Sequence, residues 1–252
     1  MKFDFETDAG IGTRATLGAI VLETDETLEP EFAQMMDVAG VALYHSRIPM
    51  QPDIRPATLG EMAQALPASA SLFPKSLAFD VIGYGCTSAA SVIGSDNVAR
   101  AIRTARPEAR VTDPLAAIIA ATKALGAKQI GFITPYLPEV SLPMQQKLEA
   151  AGLGITAFGS FEEGDDRRVA RISESSITAA ALQVAKAAAC DAIVISCTNL
   201  RCLGIIPLIE AKTGVAVIAS NQALAWHMLR LSGVADLAPH FGRLFSKPLA
   251  DD

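Results

Sequence analysis

The sequence predicts an α/β protein made of two similar halves, each containing parallel strands. Three observations predict this class. Half of the 252 residues are apolar, which is enough for a sizeable core. Short apolar runs alternate along the chain with longer amphipathic segments, as in βαβ units. One stretch is also repeated about 110 residues further along the chain.

Six short runs predict the strands. Each is mostly apolar, rich in β-branched residues and flanked by Gly, Asp or Pro. Runs of this length and composition are typical of strands buried on both faces, as in parallel sheets. The predicted strands are residues 17–22, 38–44, 79–84, 130–134, 192–196 and 215–219.

Six longer segments predict the helices that connect these strands. Ser95 and Asp96 provide a helix cap, and that helix ends before Pro107. Asp113 followed by Pro114 begins the next helix, and Gly126 ends it. The predicted helices are residues 58–72, 95–106, 113–125, 142–151, 175–188 and 221–231.

The repeat joins an Asp, an apolar strand and a Cys-Thr pair. Residues 79–87 (FDVIGYGCT) align with residues 190–198 (CDAIVISCT) at an offset of 111. A second match, residues 17–21 with 130–134, has an offset of 113. Two matches at nearly one offset predict a duplicated half of about 110 residues.

Composition excludes several classes of protein. The net charge is −6 with 19% charged residues, which argues against a nucleic-acid binder and against disorder. There is no run of 18 apolar residues to predict a membrane span, and the N-terminus lacks a signal-peptide layout. We therefore expect a cytoplasmic protein. Four cysteines are too few for a disulfide framework.

Cys86 and Cys197 follow predicted strand ends, where open parallel sheets bind ligands. The polar residues after each cysteine can open a helix, whose N–H groups stabilise anions and lower a thiol pKa from about 8.5 toward neutrality. Across a cleft, one thiolate could remove the proton α to a carboxylate while the other thiol delivers one from the opposite face. In a variant of this chemistry, a cysteine adds to an activated alkene. Neither reaction needs a metal or an organic cofactor, so the sequence predicts none.

Other interpretations of the cysteines remain open. A buried free cysteine is often only a small apolar core residue, and we expect this of Cys190 and Cys202. The thiols of Cys86 and Cys197 could also be inert, in a protein that only binds a small acid. The repeated Asp-strand-Cys-Thr context favours catalysis for this pair.

The sequence resembles the aspartate/glutamate racemase superfamily, and within it the branch of maleate cis-trans isomerases and arylmalonate decarboxylases. The resemblance covers residues 16–245. It implies two Rossmann-like lobes related by a pseudo-twofold, with the active site in the cleft between them. The segments that carry it are Gly85-Cys86-Thr87-Ser88, Thr134-Pro135-Tyr136, Ser196-Cys197-Thr198-Asn199 and residues 242–245.

By position, the resemblance implies roles for these residues. Cys197 is similar to the cysteine that protonates the product, and Cys86 to the second cysteine of racemases and isomerases, where the decarboxylases have glycine. It further implies a carboxylate site in which hydroxyl and backbone N–H groups hold the substrate. The residues of that site are Thr87, Ser88, Tyr136, Thr198 and Asn199.

Two positions depart from the maleate isomerases. Asp25 and Asp166 stand where those enzymes have asparagines that contact the substrate. An ionised Asp repels a dicarboxylate, by roughly 4 kcal/mol for two charges 4 Å apart at an effective dielectric near 20. We therefore hypothesise that Asp25, with Asp166, meets a cationic or hydroxyl-bearing group of the substrate.

Together these observations predict a cofactor-independent two-cysteine isomerase or racemase acting α to the carboxylate of a small acid or amino acid derivative. The alternatives are a maleate cis-trans isomerase with a nucleophilic cysteine, an arylmalonate-type decarboxylase, and a non-catalytic small-acid binding protein. The predicted partners are a small carboxylate substrate and copies of the same chain in a dimer or tetramer, without nucleic acid or membrane. The predicted lobes are residues 1–113 plus 220–252, and residues 114–219.

Overall fold

The computed structural model describes residues 1–250 and contains two parallel sheets of four strands each. The first sheet has the order β2-β1-β3-β4 and the second the order β6-β5-β7-β8, and every pairing is parallel. Identical strand orders are what a duplicated half predicts. The strands are β1 (Ala15–Leu22), β2 (Val41–Ile48), β3 (Val81–Gly85), β4 (Arg110–Thr112), β5 (Gln129–Thr134), β6 (Gly154–Ser160), β7 (Ala192–Ile195) and β8 (Ala216–Ala219).

Helices connect the strands and cover the sheets. Buried side chains of both sheets and of the helices form one continuous core. The helices are α1 (Leu28–Met35), α2 (Pro56–Glu61), α3 (Leu66–Ser71), α4 (Thr87–Ile93), α5 (Ser95–Arg103), α6 (Pro114–Leu125), α7 (Pro138–Ala150), α8 (Asp166–Val169), α9 (Glu174–Ala187), α10 (Ile206–Thr213) and α11 (Ser220–Leu231).

The α/β class is confirmed, and all six predicted strands are present, although β2 begins and ends later than predicted. The sequence analysis missed β4 and β6. Both are edge strands of their sheets. β4 has only three residues, and β6 contains Gly154 and Gly159 and is nowhere fully buried. Neither therefore shows the continuous apolar run that marks the other six strands.

The predicted helix over residues 58–72 is wrong as a single element. It is divided into α2, a 3-10 turn (Met62–Gln64) and α3. Pro67 lies in the first turn of α3. Proline has no backbone N–H, so it cannot donate the hydrogen bond that would continue the preceding turn into one helix. The sequence analysis gave no bounds for α1, α4, α8 and α10, which have only four to eight residues and so show little periodicity. It expected only that a helix could open after Cys86, as α4 does.

The two Asp residues of the repeat have matching structural roles. Asp80 Oδ2 accepts a hydrogen bond from Thr16 N at 2.8 Å, near the start of β1. Asp191 Oδ2 accepts from Lys128 N and Gln129 N at 2.9 and 2.8 Å, at the start of β5. Each carboxylate therefore fixes one of the two central strands of its sheet at the end remote from the cysteines.

The chain returns to the first sheet after β8. On α11, Met228 packs directly against Gly83 of β3. Any larger residue at position 83 would place its Cβ only 2.5 Å from the Met228 Sδ atom, so the helix can approach this closely only because the residue is glycine. The segment beyond α11 is tied to that helix, because Trp226 Nε1 and Arg230 Nε donate to Lys247 O. The lobe boundaries of residues 1–113 plus 220–252, and 114–219, stay a prediction.

Within residues 1–250, no helix has both the length and the apolar character needed to cross a membrane. The same residues contain no cluster of three or more His, Cys, Asp or Glu side chains arranged to hold a metal ion.

Candidate active site

The two cysteines of the repeat lie at strand ends, one in each sheet, and these two strand ends contact each other. Cys86 directly follows β3, and Cys197 lies two residues beyond β7. Thr198 Oγ1 donates to Gly85 O at 3.3 Å, which joins the two strand ends. Cys86 and Cys197 are 2% and 3% exposed. The carboxyl ends of two central strands thus enclose both thiols in one buried site.

Local backbone geometry holds each thiol. Cys86 is the N-cap of α4, and its Sγ accepts from Ala89 N at 3.4 Å. Ser88 Oγ lies 3.6 Å from the same sulfur. Cys197 Sγ accepts from Asn199 N at 3.3 Å. Each sulfur therefore faces a backbone N–H group, as the sequence analysis expected of residues that open a helix or turn.

The expectation of low thiol pKa values is wrong for this structure. Burial raises the pKa of Cys86 to about 12, and the N–H of Ala89 and the hydroxyl of Ser88 only partly oppose it. Burial also raises the pKa of Cys197 well above its ordinary value, and the Asp166 carboxylate raises it further. The desolvation of a thiolate outweighs a few hydrogen bonds, so both thiols are neutral in the closed site.

The closed site predicts slow alkylation of both thiols at neutral pH. Since the thiolate is the nucleophile, a pKa near 12 instead of 9 lowers the reactive fraction by about 10³-fold. We expect iodoacetamide at pH 7 to modify half-buried Cys190 before Cys86 and Cys197. Mass spectrometry of tryptic peptides over time measures this order. Alkylation of Cys86 or Cys197 ahead of Cys190 would show that the site opens readily or stabilises a thiolate.

Tyr136 also faces the two thiols. It follows β5, and its side chain is buried, 3% exposed. Burial raises the pKa of the Tyr136 hydroxyl well above 10, with further contributions from Cys197 and Cys86. Its hydroxyl lowers the pKa of the Cys197 thiol by hydrogen bonding. A neutral phenol next to the thiols is a donor suited to a substrate oxygen.

Asp166, the first residue of α8, is held over the site by two donors. Its Oδ2 accepts from Thr24 Oγ1 at 2.6 Å and from Asn199 Nδ2 at 3.1 Å. The pKa of Asp166 is raised to about 6, mainly by burial and also by the nearby Asp25 carboxylate. The two hydrogen bonds oppose this rise. Thr24 and Asn199 come from opposite halves of the chain, so α8 is fastened across the site.

Asp25 is buried beside the same thiols. Its Oδ1 accepts from Thr27 N and Leu28 N at 2.8 and 2.7 Å and so caps the start of α1. Its Oδ2 is buried and accepts no hydrogen bond from any group within residues 1–250. Burial raises the pKa of Asp25, and these two N–H groups, the nearby Thr198 hydroxyl and Arg47 oppose the rise. The Thr198 hydroxyl itself donates to Gly85 O, so it does not satisfy Oδ2. This carboxylate acts electrostatically on Cys86, Cys197 and Asp166.

The other predicted contact residues lie in the same region, but some of their polar groups already have partners. Thr87 Oγ1 and Ser220 Oγ share a hydrogen bond of 2.9 Å. The Asn199 amide is used within the protein, since Nδ2 donates to Asp166 and Oδ1 accepts from Glu26 N at 2.9 Å. The Asn199 side chain therefore positions Asp166, and its backbone N–H is the group that faces Cys197.

The sequence analysis missed Thr24, Glu31, Ser220 and Asn221, whose side chains contact the predicted site residues or their loops. None belongs to the repeated element or to a strand end that carries a cysteine. Thr24, Ser220 and Asn221 follow the ends of β1 and β8, so their position at a strand end was the one signal available for them. Glu31, on α1, has no such signal.

Comparisons with known proteins agree with the fold and with the predicted branch. A family model described as arylmalonate decarboxylase matches residues 95–245. A maleate isomerase from Nocardia farcinica is 28% identical over 179 residues, which are 68% of this chain and 71% of that protein. The arylmalonate decarboxylase from Bordetella bronchiseptica is 29% identical over 133 residues, which are 52% of this chain and 55% of that protein.

Solved structures extend the similarity over nearly the whole chain. The maleate isomerase from Pseudomonas putida, solved as a mutant with maleate, has a TM-score of 0.84 at 22% identity and covers 94% of this chain and 99% of its own. A maleate cis-trans isomerase mutant from Nocardia farcinica with a covalently bound succinylcysteine intermediate has a TM-score of 0.80 at 23% identity, covering 92% and 98%. The chain belongs to the arylmalonate decarboxylase family, in the branch of the aspartate/glutamate racemase-like superfamily that also contains the maleate isomerases.

Proposed function

We propose that the protein is a cofactor-independent two-cysteine isomerase or racemase that acts on the carbon α to the carboxylate of a small acid. The observation that carries this proposal is that Cys86 and Cys197, each at a strand end of its own sheet, are both buried beside Tyr136, Asp25 and Asp166. Because both thiols are neutral without substrate, one cysteine first loses its proton to solvent as the substrate binds. The thiolate then takes the proton from Cα, and the electron pair enters the carboxylate as an enediolate. The other thiol then protonates Cα from the opposite face, so the net change is inversion.

The substrate carboxylate would be held by hydroxyl and N–H groups around the thiols. The candidates for this role are the hydroxyls of Thr87, Ser88, Tyr136 and Thr198 and the backbone N–H of Asn199. Thr87, Thr198 and the Asn199 N–H would exchange their present partners for the substrate. Donors of this kind also stabilise the enediolate, where negative charge develops in the transition state. These roles stay a prediction.

The two carboxylates favour a substrate with a positive or hydrogen-bond-donating group. Asp25 Oδ2 lacks a partner in a buried site, and an unpaired buried acceptor costs about 1–3 kcal/mol. An ammonium or hydroxyl group bound there would satisfy this oxygen. An ammonium would also offset the repulsion that Asp25 and Asp166 exert on each thiolate. We therefore propose amino acids, their derivatives or hydroxy acids as the substrate class.

Cis-trans isomerisation of a maleate-like diacid is the second candidate. It is favoured by the succinylcysteine intermediate in the structure of the maleate isomerase from Nocardia farcinica. In that reaction the Cys86 thiolate would add to the alkene, the new C–C single bond would rotate, and elimination would return the thiolate and the trans alkene. Decarboxylation of a malonate derivative is the third candidate, and Cys86 disfavours it because the decarboxylases resembled here have glycine at that position.

Exchange with solvent deuterium tests the proposal. The protein is incubated in heavy water with amino acids, N-acyl amino acids, hydroxy acids, maleate and arylmalonates, and NMR with chiral chromatography follows each acid. We expect deuterium at Cα and inversion for at least one amino or hydroxy acid. Isomerisation of maleate alone would support the second candidate.

No reaction with any acid, together with ligand affinities unchanged in Cys86→Ser and Cys197→Ser, would contradict an enzymatic function and indicate a small-acid binding protein. Assembly into a dimer or tetramer stays a prediction from the family resemblance.

A further inference from the structure

Glu31 joins the first half of the chain to the segment that carries Cys197. It lies on α1, and its side chain is buried. Its Oε1 accepts from Cys202 N and from Leu203 N, both at 2.8 Å. These N–H groups begin the 3-10 turn (Leu203–Ile205) that leads into α10. A carboxylate from one half thus caps a helical segment of the other.

The second oxygen of Glu31 acts through Asn221. Glu31 Oε2 accepts from Asn221 Nδ2 at 2.8 Å. The same amide nitrogen donates to Thr198 O at 2.7 Å. Thr198 directly follows Cys197, so a continuous chain of hydrogen bonds runs from Glu31 to the peptide beside the catalytic sulfur.

The hydrogen-bonding capacity of Asn221 makes this chain sensitive to protonation. An amide nitrogen has two N–H groups, and here both are used on acceptors. Protonated Glu31 would present O–H toward Nδ2, donor against donor. Rotating the amide by 180° would satisfy that O–H but would turn Oδ1 toward Thr198 O, acceptor against acceptor. Ionised Glu31 therefore supports both hydrogen bonds, whereas a proton on Oε2 either opposes the Asn221 N–H group or leaves it a weaker, uncharged acceptor.

The surroundings of Glu31 place its titration within reach of experiment. Burial raises the pKa of Glu31 to about 7, its three donors lower it, and the Asp25 carboxylate raises it. The Cys202 thiol faces Glu31 from the second half, and Glu31 contributes to the high pKa of that thiol. Asn221, from α11, is neutral.

We propose that ionised Glu31 is a positioning residue, which acts through Asn221 to fix the Thr198 peptide and so the direction of the Cys197 thiol. The inference rests on the proposed function, because the consequence of positioning is proton transfer by Cys197. On protonation of Glu31, either Thr198 O loses the hydrogen bond from Asn221 or Asn221 loses the acceptor that holds it in place. In both cases the reaction slows. Neither residue needs to touch the substrate.

The variant Glu31→Gln separates this role from a general loss of stability. In this variant the amide oxygen must accept from the N–H groups of Cys202 and Leu203. The amide NH2 group then faces Asn221 Nδ2, donor against donor, as in protonated Glu31. With the acid that exchanges deuterium fastest, we expect kcat above pH 8 to fall about 10-fold, since small misplacement of reacting groups costs up to 10²-fold. KM should change less than threefold. The decline in kcat of the parent below about pH 7 should be absent from the variant.

A double-mutant cycle with Asn221→Ala tests the route. If Glu31 acts through Asn221, its replacement by Gln in the Asn221→Ala background should change kcat less than about twofold, because the two sites then share one effect. Independent losses that multiply would overturn the proposal. If Glu31→Gln does not fold, Asn221→Ala alone must still lose the decline below about pH 7.

Hydrogen exchange measured by mass spectrometry tests the same chain of hydrogen bonds without the need for turnover. Both variants should speed amide exchange in a peptide covering residues 196–203 by more than about threefold and leave β1 unchanged, since exchange reports local opening. Unchanged exchange in residues 196–203, or an unchanged pH profile, contradicts the role of Glu31. If the parent protein turns over none of the acids, the proposed function is contradicted instead. Hydrogen exchange then tests the hydrogen bonds from Glu31 through Asn221 to Thr198 by itself.

Discussion

Replacing Cys197 by serine is expected to lower kcat for the inverted acid by about 10³-fold, within the range of 10²- to 10⁴-fold that general acid–base groups contribute. Serine nearly preserves the volume of the buried side chain and the acceptor for Asn199 N. Its hydroxyl is a far weaker acid than a thiol, so it can neither deliver nor remove the proton. Chiral chromatography measures the rate from each enantiomer, and Cys190→Ser, remote from the site, is the matched control.

The corresponding change at Cys86 distinguishes inversion at Cα from cis-trans isomerisation of an alkene, the two main candidate functions. If both cysteines exchange protons with Cα, Cys86→Ser loses inversion but still exchanges deuterium from the enantiomer whose proton faces Cys197. If Cys86 is a nucleophile toward an alkene, the variant loses all isomerisation and forms no thioether. Inversion that continues at the parent rate in either serine variant would contradict the two-cysteine assignment.

Substituting Asp25 by asparagine is expected to change substrate preference toward dicarboxylates. Asn Oδ1 can keep the hydrogen bonds from Thr27 N and Leu28 N, so the cap of α1 is preserved. Only Oδ2, which has no partner, becomes an amide N–H group. Relief of about 4 kcal/mol of repulsion at 4 Å corresponds to an increase in kcat/KM for maleate of up to about 10³-fold. Amino acid derivatives should lose a similar factor.

The pH dependence of this preference follows from the buried acids. Burial raises the pKa of Asp25 and raises that of Asp166 to about 6, so both carboxyl groups gain charge as the pH rises. The preference of the parent for a diacid over an amino acid derivative, taken as the ratio of their kcat/KM values, should therefore weaken from pH 5 to pH 8, and Asp25→Asn should reduce this decline. Asp236→Asn removes one charge from an exposed ion pair with Arg14 and is the control for net charge. Equal preference in parent and Asp25→Asn would refute the specificity role of Asp25.

The strand ends were the part of the site that the sequence could predict. A repeated Asp, apolar run and Cys-Thr pair requires the same geometry twice, and the structure shows the same strand order in both sheets. The strands missed were two of the four edge strands, β4 and β6. β4 has only three residues and β6 is nowhere fully buried, so neither carries the buried apolar run by which the others were predicted. The helices missed were short, and short helices are stabilised by packing more than by their own periodicity.

The charge state of the thiols could not be predicted from the motif. Local sequence indicates the N–H groups next to Cys86 and Cys197, which lower a thiol pKa. How completely a side chain loses contact with water depends on every element packed around it. In this protein the second half of the chain and Asp166 complete the enclosure, and the pKa values rise instead.

By itself, the sequence determined the α/β class, the duplication and the two cysteines, because apolar periodicity and a repeated motif are local properties of the chain. It also identified Asp25 and Asp166 as residues of interest. Only the tertiary structure decided that the Asn199 amide holds Asp166, that Asp25 Oδ2 lacks a partner, and that Glu31 reaches Thr198 through Asn221. Hydrogen bonds between residues more than 20 positions apart depend on how the two halves pack, and no short segment of the chain encodes that packing.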